Sequence, residues 1–217
     1  TSNLLGNPHS ASASSQLSSR LIDDTRLRVL RFFNANPDEF DVVFVANATA
    51  AIKLVAEAFR DNDGGFWYGY HSDAHTSLVG VRELAERGSR CFRHDAEVGY
   101  WISTITMNGN DDRLGLFAYP GQSNMTGHKP PLEWCQQIRH ANISSSSRIY
   151  TLYDAAGLVS TCPLDLGNCS NAPDFTALSF YKIFGFPDLG ALIIRKESGN
   201  VLRRRRYFGG GTVDMVI

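Results

Sequence analysis

The chain has 217 residues, 43% of them hydrophobic and 20% charged, which suffices to bury a core and falls within the normal range for one sizeable globular domain. A formal net charge of -1 argues against a protein whose main work is holding a polyanion, since phosphate neutralisation needs a surplus of Lys and Arg on one face. No stretch approaches the roughly 20 apolar residues of a membrane span and no signal-peptide pattern opens the chain, so the expectation is a soluble cytoplasmic protein that binds neither nucleic acid nor membrane.

The opening TSNLLGNPHS carries neither an initiator Met nor a charged leader, and the closing FGGGTVDMVI stops after a glycine-rich turn. Residues 1–217 are therefore expected to form one domain, incomplete at both ends. Between Gln16 and Asn34, Leu17, Leu21, Val29, Leu30 and Phe33 recur at roughly helical spacing among Arg and Asp, which predicts an amphipathic helix. After the turn at Asn36-Pro37-Asp38, the β-branched run Val42-Val43-Phe44-Val45 suits a strand covered on both faces. Asn47-Ala48-Thr49 then opens a helical pattern to about Phe59.

The alternation continues with Phe66–Tyr70 as strand, Ser77–Arg87 as helix and Arg90–Arg93 as strand. Leu114–Tyr119 reads as strand, Pro131–His140 as helix and Ile149–Tyr153 as strand, while Asp95–Arg113 looks irregular. Ala191–Ile194 is a later strand that suits an antiparallel neighbour. Strands separated by helices need crossovers, so the class is α/β with a mainly parallel sheet flanked by helices. Ligands in such sheets gather at the carboxyl ends of the strands.

Four lysines stand against 17 arginines, so each can be weighed as a site for a covalent aldehyde. Lys53 sits in a predicted helix, Lys129 precedes Pro-Pro, and Lys196 follows a strand beside Glu197; all three read as surface lysines. Lys182 lies in Ser179-Phe180-Tyr181-Lys182-Ile183-Phe184-Gly185, where apolar surroundings would strip solvation from the ammonium and make the amine nucleophilic. The competing reading is a lysine that snorkels its head out of an apolar patch.

Asp154 follows the apolar strand ending at Tyr153 and precedes Ala155-Ala156-Gly157. A carboxylate there can hold the pyridine nitrogen of pyridoxal phosphate protonated, or it can simply start a turn or cap a helix. Thr49, at a strand-to-helix junction, offers a hydroxyl beside free backbone N–H groups fit for a phosphate, or is only a good cap. His75, in Asp73-Ala74-His75-Thr76-Ser77, can stack on a ring or shuttle a proton, or is a histidine satisfied by a cap bond. Asn124, after Tyr119-Pro120, can bond a ring oxygen or a substrate carboxylate, or is a turn residue. Cys91, Cys135, Cys162 and Cys169 lack CxxC spacing and are expected as reduced, mostly buried thiols. The run Arg203–Arg206 is a solvated or partner-facing turn, or an anion patch. No metal-ligand set stands out.

The order of these words, a phosphate-loop Thr, then His, Asn, Asp and a Lys with Ser three positions before it, resembles the class V aminotransferase and cysteine desulfurase group. Gly6-Asn7-Pro8-His9-Ser10, Asn47-Ala48-Thr49-Ala50-Ala51, Tyr119-Pro120-Gly121-Gln122-Ser123-Asn124, Ser179-Phe180-Tyr181-Lys182-Ile183-Phe184-Gly185 and Tyr207-Phe208-Gly209-Gly210-Gly211-Thr212 are similar, more narrowly, to the amino-terminal domain of the eukaryotic molybdenum cofactor sulfurase family. The resemblance implies the large domain of a fold-type I pyridoxal-phosphate-dependent transferase, with the small domain truncated or absent. It implies that Lys182 forms the Schiff base, Asp154 meets the pyridine nitrogen, His75 the ring face, and Thr49 and Ser179 the phosphate. Thr212 would reach the phosphate of the partner subunit in a homodimer. Desulfurases usually carry His just before the lysine, where this chain has Tyr181.

The implied reaction takes sulfur from L-cysteine, leaves alanine and a protein persulfide, and sulfurates the molybdenum cofactor for xanthine dehydrogenase and aldehyde oxidase. That acceptor would bind through a further domain. The attacking cysteine of the family lies beyond the lysine, whereas no Cys follows Lys182; Cys162 and Cys169 read as structural thiols. A general cysteine desulfurase, a selenocysteine lyase, and a non-catalytic remnant used as an interaction domain are the alternatives.

Overall fold

The computed structural model describes residues 4–8, 10–105, 114–145, 148–185 and 188–207. Seven strands form one mixed sheet: β1 (Phe40–Val45), β2 (Trp67–His71), β3 (Ser89–Phe92), β4 (Leu114–Pro120), β5 (Arg148–Asp154), β6 (Phe175–Ser179) and β7 (Gly190–Arg195). Their order across the sheet is β1-β7-β6-β5-β4-β2-β3. From β3 to β6 every neighbouring pair is parallel, as the crossover pattern requires. Only β7 runs backwards, antiparallel to both β6 and β1. The carboxyl ends of β1, β2, β4, β5 and β6 therefore share one edge with the amino end of β7.

Strand side chains alternate between two cores. One holds Phe117, Tyr119, Tyr153, Leu178 and Ile193 with residues of α1 (Ala13–Phe32), α4 (Asp95–Ile105) and α5 (Trp134–Ser145). The other holds Leu116, Leu152, Ala177 and Leu192 with α2 (Ala48–Arg60) and α3 (Thr76–Val79). β4, β6 and β7 are buried along their whole length, which is why β4 and β7 read as near-continuous apolar runs. β1 is an edge strand, yet it too is covered on both faces: Val42 and Phe44 face one core, Val43 and Val45 the other.

Several expectations need correction. α4 occupies the segment expected to be irregular; it buries Val98, Ile102 and Ile105 at helical spacing although Gly99 and β-branched residues weaken its intrinsic preference. β6 was not anticipated at all. The helix expected over Ser77–Arg87 is one turn, α3, followed by a 3-10 segment from Gly80 to Leu84. α5 starts three residues after Pro131 and runs on to Ser145. In α1, Leu30 is buried, as is Phe33 just after it, but Leu21 is exposed. Of the four free cysteines only Cys135 is buried; Cys91 is exposed and the other two are intermediate.

Candidate active site

Where β1 ends, the chain turns through Asn47 into α2. Asn47 is extended (φ -168°) and its side chain accepts the Ala50 N–H at 2.9 Å, the N-cap expected of Asn. From across the sheet, the Ser179 hydroxyl accepts the Ala48 N–H at 2.9 Å. Thr49 N–H has no partner among the described residues, so the first turn of α2 presents a free donor and the Thr49 hydroxyl to the space beyond the sheet. Gly190 makes this junction possible: a Cβ there would lie 2.5 Å from the Leu178 carbonyl oxygen and 2.7 Å from Asn47 Cα.

That space is a pocket of about 660 Å³, open mouth included. Its lining includes Asn47 and Thr49 after β1, His75 after β2, Gln122 and Asn124 after β4, Asp154 at the end of β5, Ser179 at the end of β6, and Tyr181 and Lys182 from α6 (Tyr181–Phe184). Six of the seven candidate residues thus meet in one cleft, although 133 positions separate Thr49 from Lys182. Thr212 lies outside the described residues, as do His9 and the glycine word from Phe208.

Asp154 is 7% exposed, and its Oδ1 accepts the Ala156 N–H at 3.1 Å. Burial pushes its carboxyl above the usual carboxylate range, while that N–H and the nearby Lys182 and His75 side chains pull it back down. His75 both caps and lines: its Nδ1 accepts the Ser77 N–H at 3.2 Å and lies 2.7 Å from the Ser77 hydroxyl, leaving Nε2 to carry the proton of the neutral ring. Its two readings are therefore compatible.

Lys182 is not enclosed as its neighbours suggested. It is exposed at the pocket wall, since Phe180 and Ile183 pack into the core while Tyr181 and Lys182 turn outward. The other three lysines are engaged elsewhere: Lys53 with Glu57 at 3.7 Å, Lys129 with Cys162 at 3.0 Å, and Lys196 with the Pro37 carbonyl at 2.7 Å. Gln122 was missed as a lining residue; its signal was its position two residues before Asn124 in one loop. None of the four cysteines lines the pocket. Arg205 pairs with Glu57 at 3.5 Å while Arg203, Arg204 and Arg206 are exposed. No group of three or more His, Cys, Asp or Glu among the described residues is arranged to hold a metal, and no helix among them is long and apolar enough to cross a membrane.

The family model for class V aminotransferases matches residues 1–217. The chain is 65% identical over its whole length to a molybdenum cofactor sulfurase of Aspergillus clavatus and to another of Emericella nidulans, and spans 26% of each. Among solved structures it is similar to a cysteine desulfurase from Thermococcus onnurineus, at 20% identity and a TM-score of 0.72, covering 96% of this chain and 51% of that one. A NifS-like protein from Rickettsia africae matches at 17% identity and a TM-score of 0.70, covering 88% of this chain and 51% of that one. The chain spans about a quarter of the length of its curated relatives and half that of its structural neighbours, and it belongs to the class V aminotransferase family.

Proposed function

We propose that the chain is the cofactor-binding part of a pyridoxal-phosphate-dependent enzyme that takes sulfur from L-cysteine, releases alanine and delivers the sulfur to the molybdenum cofactor. The observation that carries this reading is the meeting of Lys182, Asp154, Thr49, Ser179, His75 and Asn124 in one pocket, in a chain 65% identical to fungal molybdenum cofactor sulfurases.

The residues present fit the cofactor. Asp154 is a buried carboxylate with one N–H partner, suited to a protonated ring nitrogen. The unpartnered Thr49 N–H, the Thr49 hydroxyl and the amino end of α2 suit a phosphate, with Ser179 holding that turn in place. Lys182, the single lysine of the pocket, supplies the amine for the aldehyde carbon. When bound, the cofactor supplies an electron sink for the bonds at the substrate's Cα.

Around it, His75 offers a ring whose Nδ1 is fixed by Ser77, so that Nε2 is the atom free to give or take a proton. Asn124 offers an amide to a ring oxygen or to the substrate carboxylate. Lys182 would also be an amine within the same pocket able to move a proton at the substrate's Cα.

Sulfur transfer further needs a thiolate that attacks the substrate sulfur, so that the carbon–sulfur bond breaks, the thiolate becomes a persulfide and alanine leaves. The proposal puts that cysteine outside these 217 residues, because none of the four present lines the pocket. A homodimer in which Thr212 reaches the partner's phosphate, xanthine dehydrogenase and aldehyde oxidase as the users of the product, and a cytoplasmic setting belong to the same proposal.

The test is spectroscopic. The full-length protein incubated with pyridoxal phosphate should turn yellow, and Lys182→Ala should remain colourless. A wild-type protein that stays colourless overturns the reading. Alanine formed from L-cysteine, equal to the sulfur transferred, tests the reaction itself.

A further inference from the structure

One side-chain cluster beside the pocket is not used by the chemistry above. His71, the last residue of β2, is 2% exposed. Its Nδ1 accepts the Asp73 N–H at 3.1 Å, so the proton of the neutral ring sits on Nε2. Nε2 lies 3.2 Å from the Asp95 carboxylate, too poorly aligned for a hydrogen bond, and has no other partner among the described residues. Asp95, the first residue of α4, places both its oxygens 3.1 Å from Nε2 of His128.

His128 is where the cluster reaches the site. It closes the loop that follows β4: its carbonyl accepts the Ser123 N–H at 2.8 Å and its own N–H is donated to Thr126 Oγ1 at 3.2 Å. Thr126 in turn bonds Asp73 at 3.4 Å, in the turn that leads to His75. Asn124 lies inside this loop, next to Ser123, and lines the pocket.

An exposed histidine–carboxylate pair alone would hold little, because solvent screens it. Here one carboxylate lies within 3.2 Å of Nε2 of two imidazoles, and the inner one is shut off from water, so losing Asp95 would remove the carboxylate that faces the buried Nε2–H. The geometry points to Asp95, between His71 and His128, as a positioning residue that braces the loop of Asn124 against the end of β2, and so sets Asn124 against His75 across the cofactor pocket. This rests on the cofactor reading in its second half only; the brace itself does not need the cofactor.

The experiment uses the full-length protein and separates the two. In cofactor-free protein, amide hydrogen exchange over residues 121–128 should be about 10-fold faster in Asp95→Ala, return toward wild type in Asp95→Glu, and leave β5 unchanged. Unchanged exchange in the loop overturns the brace, and so does a general acceleration that includes β5, because the cluster would then prop the whole fold. Titration with pyridoxal phosphate, followed by absorbance, tests the second half. Asp95→Ala and Asn124→Ala should each weaken binding about 5-fold, and the double variant no more than about 5-fold, because the first acts through the second. A multiplied loss of about 25-fold in the double variant overturns the coupling to Asn124. If wild type binds no pyridoxal phosphate, the cofactor reading and this coupling both fail, while the exchange result still decides the brace.

Discussion

The hydroxyl of Ser179, the last residue of β6, accepts the backbone N–H of Ala48, the first residue of α2, at 2.9 Å, joining two segments 131 positions apart. The bond is buried, and it fixes the start of α2 against the sheet edge where Lys182 follows. Ser179→Ala should leave a buried N–H without an acceptor and cost about 1–3 kcal/mol. Chemical denaturation checks the stability. Phosphate or pyridoxal phosphate titration should show weaker binding than in wild type.

Asp154 has its carboxyl pushed up by burial, so in the cofactor-free protein its ionised form is the unfavourable one. A group whose folded pKa is raised costs nothing below its unfolded pKa of about 4, costs increasingly as pH rises from there to the folded value, and costs a constant amount above it. Asp154→Asn should therefore raise the melting temperature of cofactor-free protein at pH 7, by roughly 2–4 °C for each kcal/mol recovered. The gain should vanish toward pH 4. Pyridoxal phosphate should bind this stabler variant more weakly. A Tm gain that does not depend on pH would place its origin elsewhere.

Lys182→Ala removes an exposed side chain from a four-residue helix in which no residue is fully buried. Its stability should stay within about 0.5 kcal/mol of wild type. Circular dichroism and thermal melts would then show an intact fold in a protein that no longer takes on colour.

The thiols should react in a defined order. Lys129, 3.0 Å from the Cys162 sulfur, holds that thiol below the ordinary range, whereas burial pushes Cys135 up to about 12. Alkylation of native protein at pH 7, read by mass spectrometry, should label Cys162 fastest and Cys135 only on unfolding. Lys129→Met should slow labelling at Cys162 and leave Cys91 unaffected.

Gly190→Ala would drive a methyl into backbone atoms of Leu178 and Asn47. Neither can swing aside as a long side chain would, so a loss of about 1–3 kcal/mol is expected from denaturation. Phosphate binding at the start of α2 should fall with it.

Much of the arrangement was legible before any coordinates. Strands such as Leu114–Tyr119 and Ile149–Tyr153 announce themselves because both faces are buried, and Asn124 and Asp154 stand at the ends of these two. β6 escaped because Thr176, Ala177 and Ser179 dilute its apolar signal; only its position between β5 and β7 buries them. α4 escaped because its preference comes from packing Val98, Ile102 and Ile105 rather than from its residues. The exposure of Lys182 could not be read from Phe180, Ile183 and Phe184, since a single helical turn sends neighbours in opposite directions. The partners of Asp95 lie 24 and 33 positions away, beyond any local pattern.

The reversed strand β7 also sets a timetable. Among the described residues β1 has no sheet neighbour except β7, so the pairing of residues 40–45 seen here waits for residues 190–195. On a chain made from its amino end, β1 and the start of α2 must wait through some 145 further residues. The Thr49 end of the pocket thus waits for β7, although its sequence is among the first to be made.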